Sequence, residues 1–230
     1  MMHWWLDDRA KRTKKIVLLT GCTGRLGTFF VKQCGDIYAI IGVARKASNS
    51  HLPLIDFIPA DISTDAGKIV ARALERHGQI DVLINSAAWS RWLPLKDKPP
   101  DEFLYELRVN LVAPLALASQ LVQQCWALGG IEKNKKRNRN IVNISSIASV
   151  QVYEHLGQGA YAATKAALNT LTKHMASEYR DYGIRVNAVA PNSFPHYVSL
   201  QRVCAVIVDY IEGTQSGEIK VMDQDQEYIV

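Results

Sequence analysis

A tyrosine and a lysine with helical spacing are the residues of this sequence best suited to move a proton. Tyr161 and Lys165 lie four positions apart in a segment whose pattern predicts a helix, so their side chains share one face. A free phenol has a pKa of about 10, and a neighbouring ammonium lowers that pKa by favouring the phenolate. Such a tyrosine can give a proton to a carbonyl oxygen or take one from an alcohol. The same spacing occurs by chance in structural helices, so its meaning depends on the rest of the sequence.

A glycine-containing turn near the start of the chain predicts a phosphate-binding site. Residues 20–27 follow a short apolar run and open a predicted helix. Backbone N–H groups at a helix N-terminus bind anions, and glycines let a pyrophosphate approach the backbone closely. In this strand–turn–helix context the turn predicts dinucleotide binding, and an ordinary tight turn is the alternative. The predicted contacts are Gly21, Thr23, Gly24, Arg25, Leu26 and Gly27.

The residues after the second apolar run favour NADP(H) over NAD(H). An NAD site needs a carboxylate there, which accepts a hydrogen bond from the ribose 2′-hydroxyl. This sequence has Arg45 and Lys46 at that place, and Arg25 in the glycine turn can approach it. A guanidinium matches a phosphate group with two parallel hydrogen bonds. Arg45 is therefore the predicted 2′-phosphate contact; the alternative is that Arg45 and Lys46 are exposed loop charges.

Short apolar runs alternate with helical patterns along the chain. Strands are predicted at residues 16–19, 39–43, 55–59, 81–84, 141–144, 185–189 and 219–222, and helices at 26–34, 66–77, 101–126, 160–182 and 203–211. The polar segment 129–140 is predicted to be a loop. The alternation predicts an α/β fold of three layers, a doubly wound parallel sheet of about seven strands. Without a repeat or a boundary, residues 1–230 are predicted to form a single domain, with 1–14 as an N-terminal arm.

Composition and charge argue against several other classes of protein. A chain of 230 residues that is 48% apolar is not expected to be disordered. Basic runs at residues 9–15 and 133–139 contribute to the net charge of +5, and solvated faces explain them better than a nucleic-acid site does. The four scattered cysteines form no CxxC pair, so no metal site is predicted and a reducing compartment is favoured. No leader segment or membrane-span length is recognised, which predicts a cytoplasmic protein without a membrane partner.

Taken in order, the motifs resemble those of the short-chain dehydrogenase/reductase family over roughly residues 15–192. The matching elements are the glycine turn, Asp61, the Asn85-Ser86-Ala87-Ala88 element, Asn110 in Val-Asn-Leu, the serine strand that ends at Ser146, the Tyr161-to-Lys165 motif and the segment that ends at Pro191.

The resemblance implies a role for each of these residues. The catalytic set is Asn110, Ser146, Tyr161 and Lys165. In the family the lysine also holds the nicotinamide ribose, and the asparagine anchors a water-linked proton relay. The serine can hydrogen-bond the reacting oxygen and stabilise developing charge. The implied cofactor contacts beyond the glycine turn and Arg45 are Asp61, Ile62, Asn85, Ala87, Tyr161, Lys165 and Pro191.

Some features depart from the family pattern. Arg25 stands where the commonest short-chain form has a glycine, and the interval from Ser146 to Tyr161 is slightly long. The family places a helical substrate lid after the sixth strand, but only the short segment 192–202 is available here. We therefore expect a shortened substrate loop and an open substrate site. Trp89 and Trp92 follow the Asn85 element and are interpreted either as an aromatic wall or as packing residues.

These observations predict an NADP(H)-dependent oxidoreductase that interconverts a carbonyl and an alcohol on a small organic substrate by hydride transfer. The alternative is a catalytically weak NADP(H)-binding sensor or scaffold protein of the same fold. A nucleic-acid binder that uses residues 133–139 is a third interpretation. The resemblance also implies a homodimer or homotetramer that pairs through the two long helices.

Overall fold

The computed structural model describes residues 14–47, 51–154 and 156–230, so nearly all of the predicted N-terminal arm lies outside the described residues. The sheet has eight strands in the order β3-β2-β1-β4-β5-β6-β7-β8. Strands β1 to β7 are parallel, and β8 is antiparallel to β7. The strands are β1 Ile16–Thr20, β2 Ala39–Ala44, β3 Asp56–Pro59, β4 Val82–Asn85, β5 Asn140–Ile144, β6 Arg185–Pro191, β7 Ile219–Met222 and β8 Glu227–Ile229.

Helices cover both faces of the sheet, which confirms the predicted three-layer, doubly wound α/β fold. They are α1 Arg25–Cys34, α2 Ile62–His77, α3 Pro100–Gly129, α4 Ile131–Arg137, α5 Gly159–Glu178 and α6 Leu200–Glu212. Alternate residues of β1 enter the two cores, because successive strand side chains point to opposite faces. Leu18 packs with α2, α3 and α5, whereas Val17 and Leu19 pack with α1 and α6.

The sheet has one strand more than the number predicted. Strand β8 has only three residues, all exposed, which is too short a segment to show a strand period. It forms because β7 offers an open edge, and Arg202 on α6 donates to Glu227 at 2.8 Å. Tertiary pairing thus created a strand that periodicity does not show.

The prediction of a loop over residues 129–140 is wrong for α4. Asn134 on this helix is buried, and its amide donates to Trp126 O at 2.9 Å and to Tyr182 O at 2.7 Å. Asn138 ends the helix in the left-handed conformation, with φ at 52°. Hydrogen bonds to carbonyls of remote residues stabilise this short helix. The sequence shows only its polar composition, which favours a loop.

The expectation that no segment approaches the length of a membrane span is also wrong. Helix α3 has 30 residues and a window with mean hydropathy of 1.3, which meets the length and composition of a span. A single helix of this kind does not by itself indicate a membrane span, because a helix that packs in a protein core can have the same length and hydropathy. Leu117, Leu121 and Trp126 on α3 are fully buried in the core with α2 and the sheet. One face of α3 therefore packs in the core of the α/β fold.

The topology creates a crevice at the carboxyl ends of the strands. Strand β1 pairs with β2 on one side and β4 on the other, so the chain reverses its winding direction at this point. The loops after β1 and β4 leave toward opposite faces, and ligands of open α/β sheets bind in the resulting crevice. The glycine turn and the Asn85 element both begin there, since Thr20 and Asn85 are register partners.

Candidate active site

A cavity of about 1030 Å³ lies at the carboxyl ends of the parallel strands. Its walls come from the glycine turn, the start of α5 and the loops that follow β2, β3, β4, β5 and β6. Asn85 and Asn110 are absent from its lining. The predicted site residues that it brings together are Gly21, Thr23, Gly24, Arg25, Leu26, Gly27, Arg45, Asp61, Ile62, Ala87, Ser146, Tyr161, Lys165 and Pro191.

The glycine turn depends on close backbone packing. Gly21 has a φ of 70°, and a Cβ atom there would lie 2.8 Å from Ala87 Cα. A Cβ atom on Gly27 would lie 2.8 Å from Cys22 Cα. Larger residues would therefore push the first turn of α1 away from the sheet. This turn has no side-chain cap, so its N–H groups are available to an anion.

Thr20 joins the two loops that form the crevice. Its Oγ1 accepts hydrogen bonds from Ser86 N and Ala87 N, each at 3.1 Å. The sequence-based prediction did not include Thr20 among the site residues. Its signal was a hydroxyl residue that ends a buried strand directly before the glycine turn.

Positive charge surrounds the rim near β2. Arg45 and Lys46 are exposed and line the cavity. Asp61 caps α2 by accepting hydrogen bonds from Ser63 N and Ser63 Oγ. Burial alone would raise the pKa of Asp61, but the Ser63 bonds and the charge of Arg45 outweigh it and hold that pKa below its usual value. A carboxylate and a guanidinium thus lie at the same rim.

Arg25 makes a contact that its sequence position did not predict. Its guanidinium donates to Phe194 O, in the segment that follows β6. The side chain therefore ties the glycine turn to the opposite wall of the cavity. Arg45 and Lys46 remain as the cations at the end of β2.

Ser146, Tyr161 and Lys165 lie together at the inner end of the cavity. Lys165 is 2% exposed, its Nζ donates to Ile144 O at 2.7 Å, and the same atom lies 5.8 Å from the ring centre of Tyr161. Burial lowers the pKa of Lys165 to about 8. The serine hydroxyl also accepts from Ala148 N at 3.2 Å, which orients it at the end of β5.

The pKa of the Tyr161 phenol is raised. Burial raises its pKa, the hydrogen bond with Ser146 opposes that rise, and the negative charge of Glu106 adds to it. The expectation of a lowered pKa for Tyr161 is not met, because burial outweighs the effects that favour the phenolate. A tyrosine in this state carries its proton at neutral pH, as a proton donor to a carbonyl oxygen must.

Asn85 lies behind the cavity wall in a chain of buried polar groups. Its Nδ2 donates to Asn143 Oδ1 at 2.9 Å, and Asn143 Nδ2 donates to Thr172 Oγ1 at 2.9 Å. These bonds join β4, β5 and α5, and so fix the strand that carries Ser146 against the helix that carries Tyr161. Asn143 and Thr172 were not predicted, since a polar residue inside an apolar pattern does not identify its partner.

Asn110 is also a buried connecting residue. It lies in a π-helical turn of α3, Arg108–Val112, and is fully buried. Its Oδ1 accepts from Trp89 N at 2.9 Å, and its Nδ2 donates to Trp89 O at 2.8 Å and to Thr164 Oγ1 at 3.2 Å. The carboxamide thus holds the loop after β4 against α5.

The other wall of the cavity comes from separate loops. Tyr153 and Asn192 are joined by a 3.3 Å hydrogen bond, and Asn192 Nδ2 also donates to Asp223 Oδ1 at 2.8 Å. The segment after β6 forms turns, and α6 begins at Leu200, so no helix covers the site from residues 192–199. The residues of this wall are far apart in the sequence and follow no common spacing, so the sequence did not indicate that they lie together. They are Trp89, Trp92, Tyr105, Ile147, Tyr153, Gln158, Asn192 and His196.

The arrangement of glycine turn, buried lysine and tyrosine has counterparts among known proteins. The family model for short chain dehydrogenases matches residues 15–195 of the sequence. The chain belongs to the short chain dehydrogenase family. It is accordingly an oxidoreductase of that family, and the match includes every residue that lines the cavity except His196.

Individual members of the short chain dehydrogenase family agree with this assignment. An uncharacterized oxidoreductase from Thermotoga maritima is 31% identical over 189 residues, which are 78% of this chain and 71% of the relative. A crystal structure of a family oxidoreductase from Brucella ovis, in complex with a partially ordered NAD, is 29% identical, with a TM-score of 0.76 over 91% of this chain and 100% of that one. A gluconate 5-dehydrogenase from Burkholderia cenocepacia, in complex with NADP and tartrate, has a TM-score of 0.78 at 21% identity over 94% and 96% of the two chains, and shows the fold alone.

Proposed function

We propose that this short chain dehydrogenase interconverts a carbonyl and an alcohol on a small organic substrate, with NADP(H) as the hydride carrier. One observation carries the proposal: Ser146, Tyr161 and Lys165 line the same cavity as the glycine turn and Arg45. Proton-transfer groups, a phosphate-binding turn and a cation for a further phosphate are the parts that such a reaction needs.

The residues of the turn fit a dinucleotide. The uncapped first turn of α1 can receive a pyrophosphate, and a side chain at position 21 would collide with Ala87. Gly21, Gly24 and Gly27 would bring the backbone close to the phosphates, and Asp61, Ile62, Ala87 and Pro191 would line the remainder of the nucleotide site. The nicotinamide ring supplies or accepts the hydride when the cofactor is bound.

The chain's own groups would handle the proton and the developing charge. In the reducing direction, the hydroxyl of Tyr161 gives its proton to the substrate oxygen as that oxygen gains electron density. Ser146 Oγ hydrogen-bonds the same oxygen and keeps it in line with the phenol. Lys165, as an ammonium, stabilises the phenolate that remains and can donate to the ribose of the nucleotide.

The choice of NADP(H) depends on Arg45. A 2′-phosphate at the end of β2 would meet Arg45 and Lys46, both exposed on the cavity rim. A charged hydrogen bond from a guanidinium to a phosphate is worth about 1.5–3 kcal/mol. The Brucella ovis and Burkholderia cenocepacia proteins hold NAD and NADP respectively, so similarity to them favours neither cofactor.

The proposal is tested by a carbonyl panel with NADPH and with NADH. The panel contains benzaldehyde, cyclohexanone, ethyl acetoacetate and a quinone, with the matching alcohols and NADP⁺ for the reverse direction. We expect loss of the reduced-nicotinamide absorbance with at least one carbonyl, faster with NADPH. Tight NADPH binding without turnover of any compound would instead support the sensor or scaffold alternative.

Further parts of the proposal concern partners. Leu104, Val112 and Leu115 are apolar and exposed along α3, which supports pairing of two or four copies through α3 and α5. The basic segment 133–139 is partly engaged within the chain, because Arg139 is buried and Arg137 Nε lies 3.5 Å from Asp81 Oδ1. These contacts disfavour the nucleic-acid interpretation. A cytoplasmic location without membrane partners belongs to the same proposal.

A further inference from the structure

A buried ion pair lies behind the substrate side of the cavity. Lys98 Nζ is 2.9 Å from Glu106 Oε2, and the two side chains are 4% and 0% exposed. Glu106 is on α3, and Lys98 directly follows the 3₁₀ turn Leu95–Asp97 in the loop after β4. Charges removed from water are costly unless they are paired, so the position of Lys98 is bound to that of Glu106.

Lys98 also contacts two residues of the loop after β4, and so holds that loop in place. Its Nζ also donates to Arg91 O at 2.8 Å and lies 5.3 Å from the ring centre of Trp89. The Trp89 ring packs edge-on against Tyr105, with a centre-to-centre distance of 5.2 Å and an angle of 80°. Trp89 and Tyr105 both line the cavity. One ammonium thus contacts the backbone and the aromatic face of the cavity wall.

We propose that the Lys98–Glu106 pair positions Trp89 and the loop after β4 as the substrate wall of the active site, and thereby sets KM for the carbonyl substrate. The part that concerns KM rests on the proposed function. Neither side chain contacts the reacting groups in the proposed reaction, so Lys98 and Glu106 are positioning residues; the charge of Glu106 acts on the reaction only by raising the pKa of Tyr161.

A nearby ion pair shows why the buried one is singled out. Arg91 and Glu102 join the same loop to α3, but the side chain of Arg91 is 59% exposed. Ion pairs exposed to water contribute little to the stability of the fold, whereas breaking a buried ion pair leaves an uncompensated charge. Glu106 Oε1 has no hydrogen-bond partner among the described residues, which makes the carboxylate dependent on Lys98.

The test separates positioning from stability by using one single and one double variant. Lys98→Met leaves the carboxylate of Glu106 unpaired and should lower Tm. Lys98→Met/Glu106→Leu replaces the pair by apolar groups, which is commonly neutral or stabilising, so Tm should recover. Both variants lose the ammonium that contacts Arg91 O and Trp89.

Kinetics with ethyl acetoacetate and NADPH give the first readout. We expect KM to rise about tenfold or more in both variants, because a charged hydrogen bond and a cation–π contact are lost. In the double variant kcat also reports the loss of the Glu106 charge near Tyr161, so the comparison between the variants is made on KM. Lys98→Arg should have a KM between those of Lys98→Met and the wild type, since it returns a cation. Lys68→Met is the matched control, because its pair with Asp65 is at the surface and should affect neither Tm nor KM.

Tryptophan fluorescence gives a readout that needs no turnover. The chain has five tryptophans, and Trp4→Phe, Trp5→Phe and Trp92→Phe leave Trp89 and Trp126. Trp126 is fully buried, so acrylamide quenching in this background reports mainly on Trp89. Quenching should increase in Lys98→Met and in the double variant.

The outcomes decide between positioning and mere stability. If KM and quenching recover with Tm in the double variant, the pair is structural only and the inference is wrong. If KM and quenching of the double variant equal those of the wild type, the inference is wrong, even if Lys98→Met fails to fold. If the wild type reduces none of the panel compounds, the proposed function fails, and the quenching result still decides whether the pair positions Trp89.

Discussion

The two sides of the cavity are built in different ways. The nucleotide side consists largely of consecutive residues, 20–27, whose backbone forms a turn at the end of β1. The substrate side brings Trp89, Tyr153 and Asn192 together from three loops, and each is held by side-chain contacts with remote residues. A local turn needs only the right residue types at adjacent positions, whereas a composite wall needs the folded chain. Recognition of the nucleotide is therefore readable in this sequence, and recognition of the substrate is not.

The largest expected effect comes at the junction of the two sides. Tyr161→Phe removes the proton donor but leaves the turn, Arg45 and the Trp89 wall in place. We expect turnover to fall by about a hundredfold or more, the scale of a lost general acid. The dissociation constant for NADPH, measured by fluorescence titration, should stay close to the wild-type value.

Ser146→Ala serves as a comparison for this variant, because it removes the second hydroxyl and keeps the phenol. It should also lower turnover with unchanged NADPH affinity. Near-normal turnover of Tyr161→Phe would remove the phenol from the chemistry, and weaker NADPH binding would mean that the two sides are not separable.

A smaller effect is expected from a change to the nucleotide side alone. Arg45→Asp removes the cation at the 2′-phosphate and offers an acceptor to a ribose 2′-hydroxyl. We expect the preference for NADPH over NADH to change by roughly ten- to a hundredfold in favour of NADH, given the strength of a charged hydrogen bond. Dissociation constants for both cofactors are measured at one fixed salt concentration, because the site is exposed and screening weakens it.

The matched control is Arg91→Asp, which changes the same type of residue in the loop on the substrate side. Its ratio of the two dissociation constants should equal that of the wild type. If Arg45→Asp leaves the ratio unchanged, cofactor choice does not depend on Arg45.

A pH dependence links the two sides through Lys165. Burial lowers the pKa of this amine to about 8, so the ammonium is lost as the pH rises through that value. Because the ammonium is the form that can donate to the nucleotide ribose and stabilise the phenolate, kcat/KM for NADPH should fall above about pH 8, by roughly tenfold per pH unit. Steady-state rates between about pH 6 and pH 10 would measure the decline. These limits lie about two pH units on either side of the pKa of Lys165.

Arg45→Asp should show the same decline, because a guanidinium does not titrate in this range. Burial raises the pKa of Cys22, within the glycine turn, to about 11, so this thiol does not produce the effect. A flat profile to pH 10 would show that the charge of Lys165 does not contribute to use of NADPH.

The parts of the fold that the sequence predicted share one property. Seven parallel strands, the glycine turn and the Tyr161–Lys165 pair each follow from residues close together in the chain. Periodicity of two or about 3.6 residues determines which side chains face the core. For the same reason, Tyr161 and Lys165 share a helix face whatever the rest of the structure does.

Other features were decided only when remote segments met. Helix α4 exists because Asn134 bonds to Trp126 O and Tyr182 O, and β8 exists because β7 has an open edge. Asn110 bonds to the backbone N and O of Trp89, and Arg25 donates to Phe194 O; motif position predicted neither contact.

The physical reason is the burial of polar groups. A buried amide or charge must find a partner, and its sequence does not say which distant atom that partner will be. By itself the sequence determined the α/β fold, the position of the nucleotide site and the helix face that carries Tyr161 and Lys165. Only the tertiary structure decided the loop anchored by Lys98 and Glu106, the chain of bonds from Asn85 to Thr172 and the shape of the substrate wall.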